Sequence, residues 1–307
     1  MKFSRRHIIS MKDFTRDEID FILGRAIKME DQLKNGTSDL LKGKILALLF
    51  YEPSTRTRMS FEAAMLRLGG NLLNLGSKEA SSIAKGETLA DTIRVVSSYS
   101  DAIVLRHPSE GSARLASEFS SVPIINGGDG AGHHPTQTLL DLYTINRESN
   151  LENLDIAIVG DLKYGRTVHS LAYALSRYGA NITLVSPPQL TMPEQIKVDL
   201  KTRGAQVSEA ENLDEIVGDI DVLYMTRIQK ERFPDPTEYK KVAGAYKITP
   251  NLLKNVRQDM IIMHPLPRVY EIDSSLDNSP HAKYFEQSFY GVPVRMALLT
   301  IVLGVEM

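Results

Sequence analysis

Ile45-Leu46-Ala47-Leu48-Leu49-Phe50-Tyr51-Glu52-Pro53-Ser54-Thr55-Arg56-Thr57-Arg58 decides how the chain is read. Six consecutive apolar residues describe a strand covered on both faces, as in a parallel sheet. Ser54 to Leu68 then reads as a helix, stopped by Gly69-Gly70. A helix that begins just after such a strand presents unpaired N–H groups and a positive dipole end, which attract phosphate. Ser54 as N-cap, the hydroxyls of Thr55 and Thr57, and the Arg56 fork add donors suited to phosphate oxygens.

The same unit recurs outward from this stretch. Thr15 and Glu18 form a capping-box pattern ahead of an amphipathic helix that closes at Asn35-Gly36. Downstream, strands are expected at 71–75, 102–105 and 122–125, and helices at 87–98, 112–119 and from Pro135 to about Arg147. A Gly-rich loop is expected over 127–132, and a linker over 150–155. The alternation then restarts, with strands at 156–159, 182–185, 222–225 and 260–263 and helices at 166–178 and about 193–203. A last helix is expected from about Val294 to Val305. Repeated β-α units with apolar strands imply an α/β chain of two doubly wound parallel-sheet domains, with the active site in the crevice between them. The expected division is 1–149 and 150–289, with a C-terminal helix at about 290–307 packing back onto the first domain.

Composition narrows the class. A chain of 307 residues is long enough for two cores. With 36 basic and 38 acidic side chains the net charge is −2, which argues against a nucleic-acid partner. There is no cysteine, which excludes disulfides and thiolate metal sites and suits a reducing compartment. No H-E-x-x-H occurs, and no cofactor or metal is expected. The apolar stretch Met296 to Val305 is too short to span a bilayer. No signal-peptide pattern precedes Phe14, and the expectation is a soluble, cytoplasmic protein.

Ligands of open α/β sheets bind beyond the carboxyl ends of the strands. Cations, hydroxyls and histidines follow nearly every strand here. They are Ser54 to Arg58, then Ser81, Ser82 and Lys85, Arg106-His107, His133-His134-Pro135-Thr136-Gln137, Lys163 to Thr167, Thr226 to Gln229, and His264 to Arg268. So many cations at one edge point to anionic ligands. Neither G-x-x-x-x-G-K-[ST] nor G-x-G-x-x-G is present, which weakens nucleotide and dinucleotide readings.

Phe50 to Arg58 resembles the carbamoyl-phosphate signature of the aspartate/ornithine carbamoyltransferases, and His134-Pro135-Thr136-Gln137 resembles that site's second element. Gly160 to Arg166, Thr226 to Arg232 and His264-Pro265-Leu266-Pro267-Arg268 resemble the family's aspartate branch, and the likeness continues to Gly291–Leu299. The resemblance implies transfer of the carbamoyl group of carbamoyl phosphate to L-aspartate, in pyrimidine synthesis, without a covalent intermediate. It implies that Ser54, Thr55, Arg56 and Thr57 hold the phosphate, with Ser81 and Lys85 delivered by a neighbouring subunit of a homotrimer with shared sites. Arg106, His134, Gln137 and Thr57 would surround the carbamoyl group. Thr57, Lys85, Arg106 and His134 would be catalytic, and Lys85 would also reach the aspartate. Arg166, Arg227 and Gln229 would take the aspartate carboxylates, and the carbonyls of Pro265 and Leu266 would meet the substrate amines. A regulatory chain is a possible further partner.

An ornithine-specific relative would carry a cysteine where Pro265 stands, and its cationic substrate would sit poorly beside Arg166 and Arg227. His264 reads as a shaper of the turn that Pro265 and Pro267 stiffen, and Arg268 as a pocket or brace residue. Glu52 reads as an orienter of arginines across the crevice. Tyr270 stands where the resemblance leads one to expect an acidic residue, and the role of His133 is open.

Overall fold

The computed structural model describes residues 3–75, 86–130, 132–228, 233, 235–242 and 244–305. Its contacts divide the chain into two compact units, Met1–Leu140 with Phe289–Met307, and Asp141–Ser288.

The first unit holds a four-stranded, all-parallel sheet in the order β2-β1-β3-β4. Its strands are β1 (Ile45–Phe50), β2 (Asn71–Asn74), β3 (Ala102–His107) and β4 (Ile124–Asp129). Apolar runs form the middle: Leu46 to Leu49 and Ala102 to Leu105 are all buried. Each Leu or Ile so buried contributes about 1.5–3 kcal/mol over leaving it in water. The edge strand β2 is mostly exposed.

Helices α1 (Arg16–Lys34), α2 (Thr55–Arg67), α3 (Leu89–Ser97), α4 (Ser112–Phe119) and α5 (Pro135–Glu148) follow in chain order. The Thr15–Glu18 capping box forms as expected, with Thr15 N–H donating to Glu18 and Glu18 N–H donating to Thr15 Oγ1. The Gly-rich stretch is not all loop. Gly127, Gly128 and Asp129 continue β4, because Asn126 Oδ1 accepts the Gly128 N–H and Asp129 is fixed by Asn126 and Gly111.

In the second unit a five-stranded parallel sheet runs β7-β6-β5-β8-β9. The strands are β5 (Asp155–Val159), β6 (Asn181–Val185), β7 (Gln206–Ala210), β8 (Val222–Met225) and β9 (Ile261–Met263). Helices α6 (Arg166–Leu175), α7 (Glu194–Thr202) and α8 (Pro236–Val242) belong to the same unit. Two of these elements, β7 and α8, have no counterpart in the sequence reading. β7 is a polar, largely exposed edge strand, Gln-Val-Ser-Glu-Ala, whose pattern carries no buried run. Ala157, Val159, Leu223, Met225 and Ile262 lead one apolar core of this unit.

The last helix, α9 (Tyr284–Val302), begins ten residues earlier than expected. Pro293 reads locally as a helix start, yet it lies inside α9. In the first unit α9 lays the Arg295 guanidinium over the Phe61 ring at 5.0 Å, and Val302 accepts the Arg5 N–H. Among the described residues no helix is long and apolar enough to cross a membrane.

Candidate active site

Each sheet has one place where the chain reverses its direction of travel across the strands. There the loops of two neighbouring strands part and leave a crevice at the carboxyl edge. In the first unit it lies between β1 and β3. Phe50 pairs with Arg106 in the register, and Tyr51 N–H donates to the Arg106 carbonyl at 2.9 Å. The ladder therefore sets Arg106 beside the root of the Ser54–Thr57 loop.

Ser54 is the N-cap of α2, with extended backbone, but its side chain makes no capping hydrogen bond. Thr15 and Thr88 head α1 and α3, and each hydroxyl accepts the N–H of the third residue of its helix. Among the described residues no side chain accepts from the first-turn donors of α2, the state in which a helix end takes an anion. Thr55 and Arg56 are exposed there, and Thr57 is buried.

Thr57 Oγ1 lies 3.4 Å from His134 Nε2, across 77 positions of sequence. His134 is buried, and its carbonyl accepts the N–H groups of Gln137 and Thr138 at the start of α5. That turn brings Gln137, half-buried, onto the same helix end. Arg106 is held from two sides: Nη1 donates to the Gly127 carbonyl at 3.1 Å, and Nε lies 3.5 Å from Glu52 Oε2. Glu52 thus orients an arginine of its own unit. His133 is tied through its backbone, donating to Asp129 Oδ1 at 2.8 Å, and burial pushes its imidazole pKa down.

Behind His134 lies a residue that sequence reasoning missed. Arg295 is buried and donates through Nη2 to Thr136 Oγ1 at 3.4 Å, while Thr136 Oγ1 lies 3.4 Å from His134 Nδ1. An arginine in an apolar C-terminal helix gives no local sign of that contact.

The second reversal lies between β5 and β8. Gly160 follows β5 with φ +119°, a conformation that L side chains rarely adopt. Its N–H donates to the Val185 carbonyl at 3.0 Å, and Thr226 N–H donates to the Val159 carbonyl at 2.8 Å. The Asp161–Gly165 turn is closed by Tyr164 N–H donating to Asp161 Oδ1 at 2.9 Å. Arg166 opens α6, and Arg227 follows Thr226 beyond β8; both are half-buried. Ile228 packs with Leu190 and Val242 and so anchors the chain next to Arg227.

Beyond β9, Pro265 and Leu266 lie in a tightly held loop, and the Leu266–Pro267 peptide is cis. Leu266 has φ +49°, in the left-handed region, without being glycine. His264 is buried under this loop: its Nδ1 accepts the Leu266 N–H at 2.8 Å and its Nε2 lies 2.9 Å from Glu271 Oε1. The other Glu271 oxygen accepts the N–H groups of Val269 and Tyr270 at 3.1 and 3.0 Å. Burial pushes the Glu271 carboxyl up, but these donors outweigh it and hold its pKa at about 2. The network continues as His264 N–H donating to Gln287 Oε1, Gln287 Nε2 donating to Asp141 Oδ1, and the Tyr224 hydroxyl donating to Asp141 Oδ2. Arg268 is engaged as a brace, forked onto Asp277 and near the Tyr284 hydroxyl. Tyr270 meets the Tyr239 hydroxyl at 3.4 Å.

Ser81, Lys85 and Gln229 lie outside the described residues. Among the described residues no three His, Asp or Glu side chains converge as a metal cage would require. The remaining candidates gather at two sheet edges. One offers an uncapped helix end, Arg56, Thr57, Arg106 and His134. The other offers Arg166, Arg227 and the Pro265-Leu266 loop.

Two family models match the chain. Residues 6–147 match the aspartate/ornithine carbamoyltransferase carbamoyl-P binding domain, and 152–302 match the Asp/Orn binding domain of the same family. The chain is similar to the aspartate carbamoyltransferase catalytic subunit of Methanothrix thermoacetophila, 68% identical over 299 residues, 97% of this chain and 98% of that one. It is 64% identical to the corresponding subunit of Methanosarcina mazei, over 99% of both chains. Among solved structures, the catalytic subunit of M. jannaschii aspartate transcarbamoylase superposes with a TM-score of 0.91 at 59% identity, covering 99% of this chain and 98% of the other. The Trypanosoma cruzi aspartate transcarbamoylase, solved with carbamoyl phosphate and aspartate, gives a TM-score of 0.93 at 42% identity and 98% of each chain.

Proposed function

The chain belongs to the aspartate/ornithine carbamoyltransferase family, and from that premise we propose how its residues perform the transfer. The chain moves the carbamoyl group of carbamoyl phosphate to the amine of L-aspartate, giving N-carbamoyl-L-aspartate and phosphate. The relatives named above, three of the four being catalytic subunits of the aspartate enzyme, carry that assignment. The observation that carries the residue roles is the α2 terminus: a helix end with no side-chain cap, flanked by Arg56 and by the Thr57–His134 contact.

Residues 1–149 serve carbamoyl phosphate and 150–289 serve aspartate, with the part of α9 beyond about 290 supporting the first domain. The α2 N–H groups, Ser54, Thr55 and Arg56 take the phosphate. The aspartate amine attacks the carbamoyl carbon and negative charge gathers on the carbamoyl oxygen. Thr57, Arg106 and His134 donate to that oxygen, each such donor being worth about 10²–10³ in rate. Gln137 holds the carbamoyl amide. As the carbon–oxygen bond to phosphate breaks, Arg56 and Lys85 stabilise the charge on the leaving group. Arg166, Arg227 and Gln229 take the aspartate carboxylates, and the Pro265 and Leu266 carbonyls receive N–H groups of the substrates. No side chain becomes a covalent nucleophile, and orientation of two reactants supplies much of the rate.

Incubating the purified chain with carbamoyl phosphate and either L-aspartate or L-ornithine tests this reading. Carbamoyl aspartate alone is expected, and its absence would refute the function. We further propose a cytoplasmic homotrimer acting in pyrimidine synthesis, with Ser81 and Lys85 crossing to a neighbour's site. Lys85→Ala and Arg106→Ala chains, each inactive, then regain activity when dissociated and reassembled together. Mixed oligomers without activity would remove the shared site. A regulatory chain is a further proposed partner, suggested by the relatives' designation as catalytic subunits; co-purification from the source cells is its test.

A further inference from the structure

We infer that Glu271 is a positioning residue for the acceptor amino acid, acting through His264 on the Pro265-Leu266 backbone. The inference rests on the reading above, in which the Pro265 and Leu266 carbonyls receive substrate N–H groups.

The geometry leaves His264 one state. Its Nδ1 faces the Leu266 N–H at 2.8 Å and can only accept there. Its Nε2 faces a carboxylate oxygen at 2.9 Å and can only donate there. An imidazolium would set two N–H groups against each other at Nδ1. The ring is therefore the neutral Nε2–H tautomer, and the Glu271 carboxylate selects it. The ring in turn ties down the Leu266 N–H, in a residue whose φ of +49° is uncommon outside glycine.

Glu271 is itself immobile. Its carbonyl accepts the Ile248 N–H at 2.8 Å, and Asp273 N–H donates to the Ile248 carbonyl at 3.0 Å on the other side. Glu271 and His264 are 3% and 1% exposed, so water does not substitute for a lost partner. One carboxylate thus accepts three N–H bonds, from His264, Val269 and Tyr270, and closes residues 264–271 into a ring of fixed shape. The His264 main chain is secured separately by Gln287, so the Glu271 contact governs the ring orientation more than the end of β9.

An amide cannot replace this carboxylate. Glutamine has one accepting oxygen and one donating nitrogen. Facing the oxygen to His264 sets its NH₂ against the Val269 and Tyr270 N–H groups. Facing the NH₂ to His264 demands the other tautomer, which then opposes the Leu266 N–H. Either choice shifts the backbone that meets the acceptor amino acid and leaves the α2 phosphate seat untouched.

The test is Glu271→Gln in the full chain, with carbamoyl phosphate and L-aspartate as substrates. KM for L-aspartate is expected to rise about tenfold or more, while calorimetric affinity for carbamoyl phosphate stays within about twofold. An unchanged KM for aspartate overturns the proposal, as does a parallel loss of affinity for both substrates, the mark of general loosening. The second arm needs no turnover. In ¹⁵N spectra of the unsubstituted chain, the His264 ring, identified by its loss in His264→Gln, is expected in the Nε2–H form at neutral pH. An Nδ1–H or imidazolium signature overturns the proposal even if Glu271→Gln does not fold. Absence of carbamoyl aspartate from the unsubstituted chain would instead fail the function, and the ring spectrum would still decide the His264–Glu271 relationship.

Discussion

Gly160 and Thr226 are packed so closely that a Cβ on Gly160 would stand 2.4 Å from the Thr226 carbonyl oxygen. No Cβ tolerates that distance to a backbone atom, and φ at Gly160 is +119°. The contact sets the end of β5 against the end of β8, and with it the origins of the two loops that carry Arg166 and Arg227. Gly160→Ala is expected to cost about 1–3 kcal/mol in backbone strain alone and to raise KM for L-aspartate. Denaturant melts and initial rates read the two effects. A variant with unaltered stability and KM would show that the close approach has no part in shaping the aspartate side.

Arg56 is exposed and heads a helix end with no side-chain cap. Its removal touches no core contact, so Arg56→Ala is expected to melt within about 0.5 kcal/mol of the parent. Loss of a charge-assisted bond of about 1.5–3 kcal/mol corresponds to roughly 10–100-fold weaker binding of carbamoyl phosphate. Calorimetry decides between that outcome and a solvated surface arginine, for which affinity would not change.

Thr57 is buried with Oγ1 3.4 Å from His134 Nε2. Thr57→Val keeps the shape and removes only the hydroxyl. The expected result is a fall in kcat of about 10²–10³ with little change in carbamoyl-phosphate affinity, because the lost donor acts on charge that develops during reaction. Retention of full kcat would exclude Thr57 from the oxygen-binding set.

Glu271 carries a pH prediction whose sign follows from its lowered pKa, about 2 against an ordinary 4.5. A carboxyl lowered on folding contributes fully above its unfolded value and loses that contribution as pH falls through its folded value. The window is therefore about pH 4.5 down to about 2, and the contribution lost across it is roughly 3 kcal/mol. Denaturant unfolding over that range should show a shallower loss of stability in Glu271→Gln than in the parent. Parallel curves would mean that the carboxylate is not held by His264 and the loop N–H groups as described.

Local chemistry by itself determined the strand-and-helix units and singled out Ser54–Thr57 as the proposed phosphate seat. Apolar runs such as Ile45 to Phe50 announce buried parallel strands, and the helix that follows directly places donors at their ends. Where pattern and packing parted, the reasons were specific. Pro293 imitates a helix start yet lies inside α9, and β7 has no apolar run because it is an edge. Only the tertiary structure decided which loops share a crevice, because strand order is set by pairing between segments far apart in the chain. It placed Arg106 beside Phe50, Thr57 against His134, and Arg295 against Thr136. Glu271 was illegible for the same reason. Its role depends on a buried ring nitrogen 2.9 Å away, and no periodicity or propensity encodes a through-space contact of that kind.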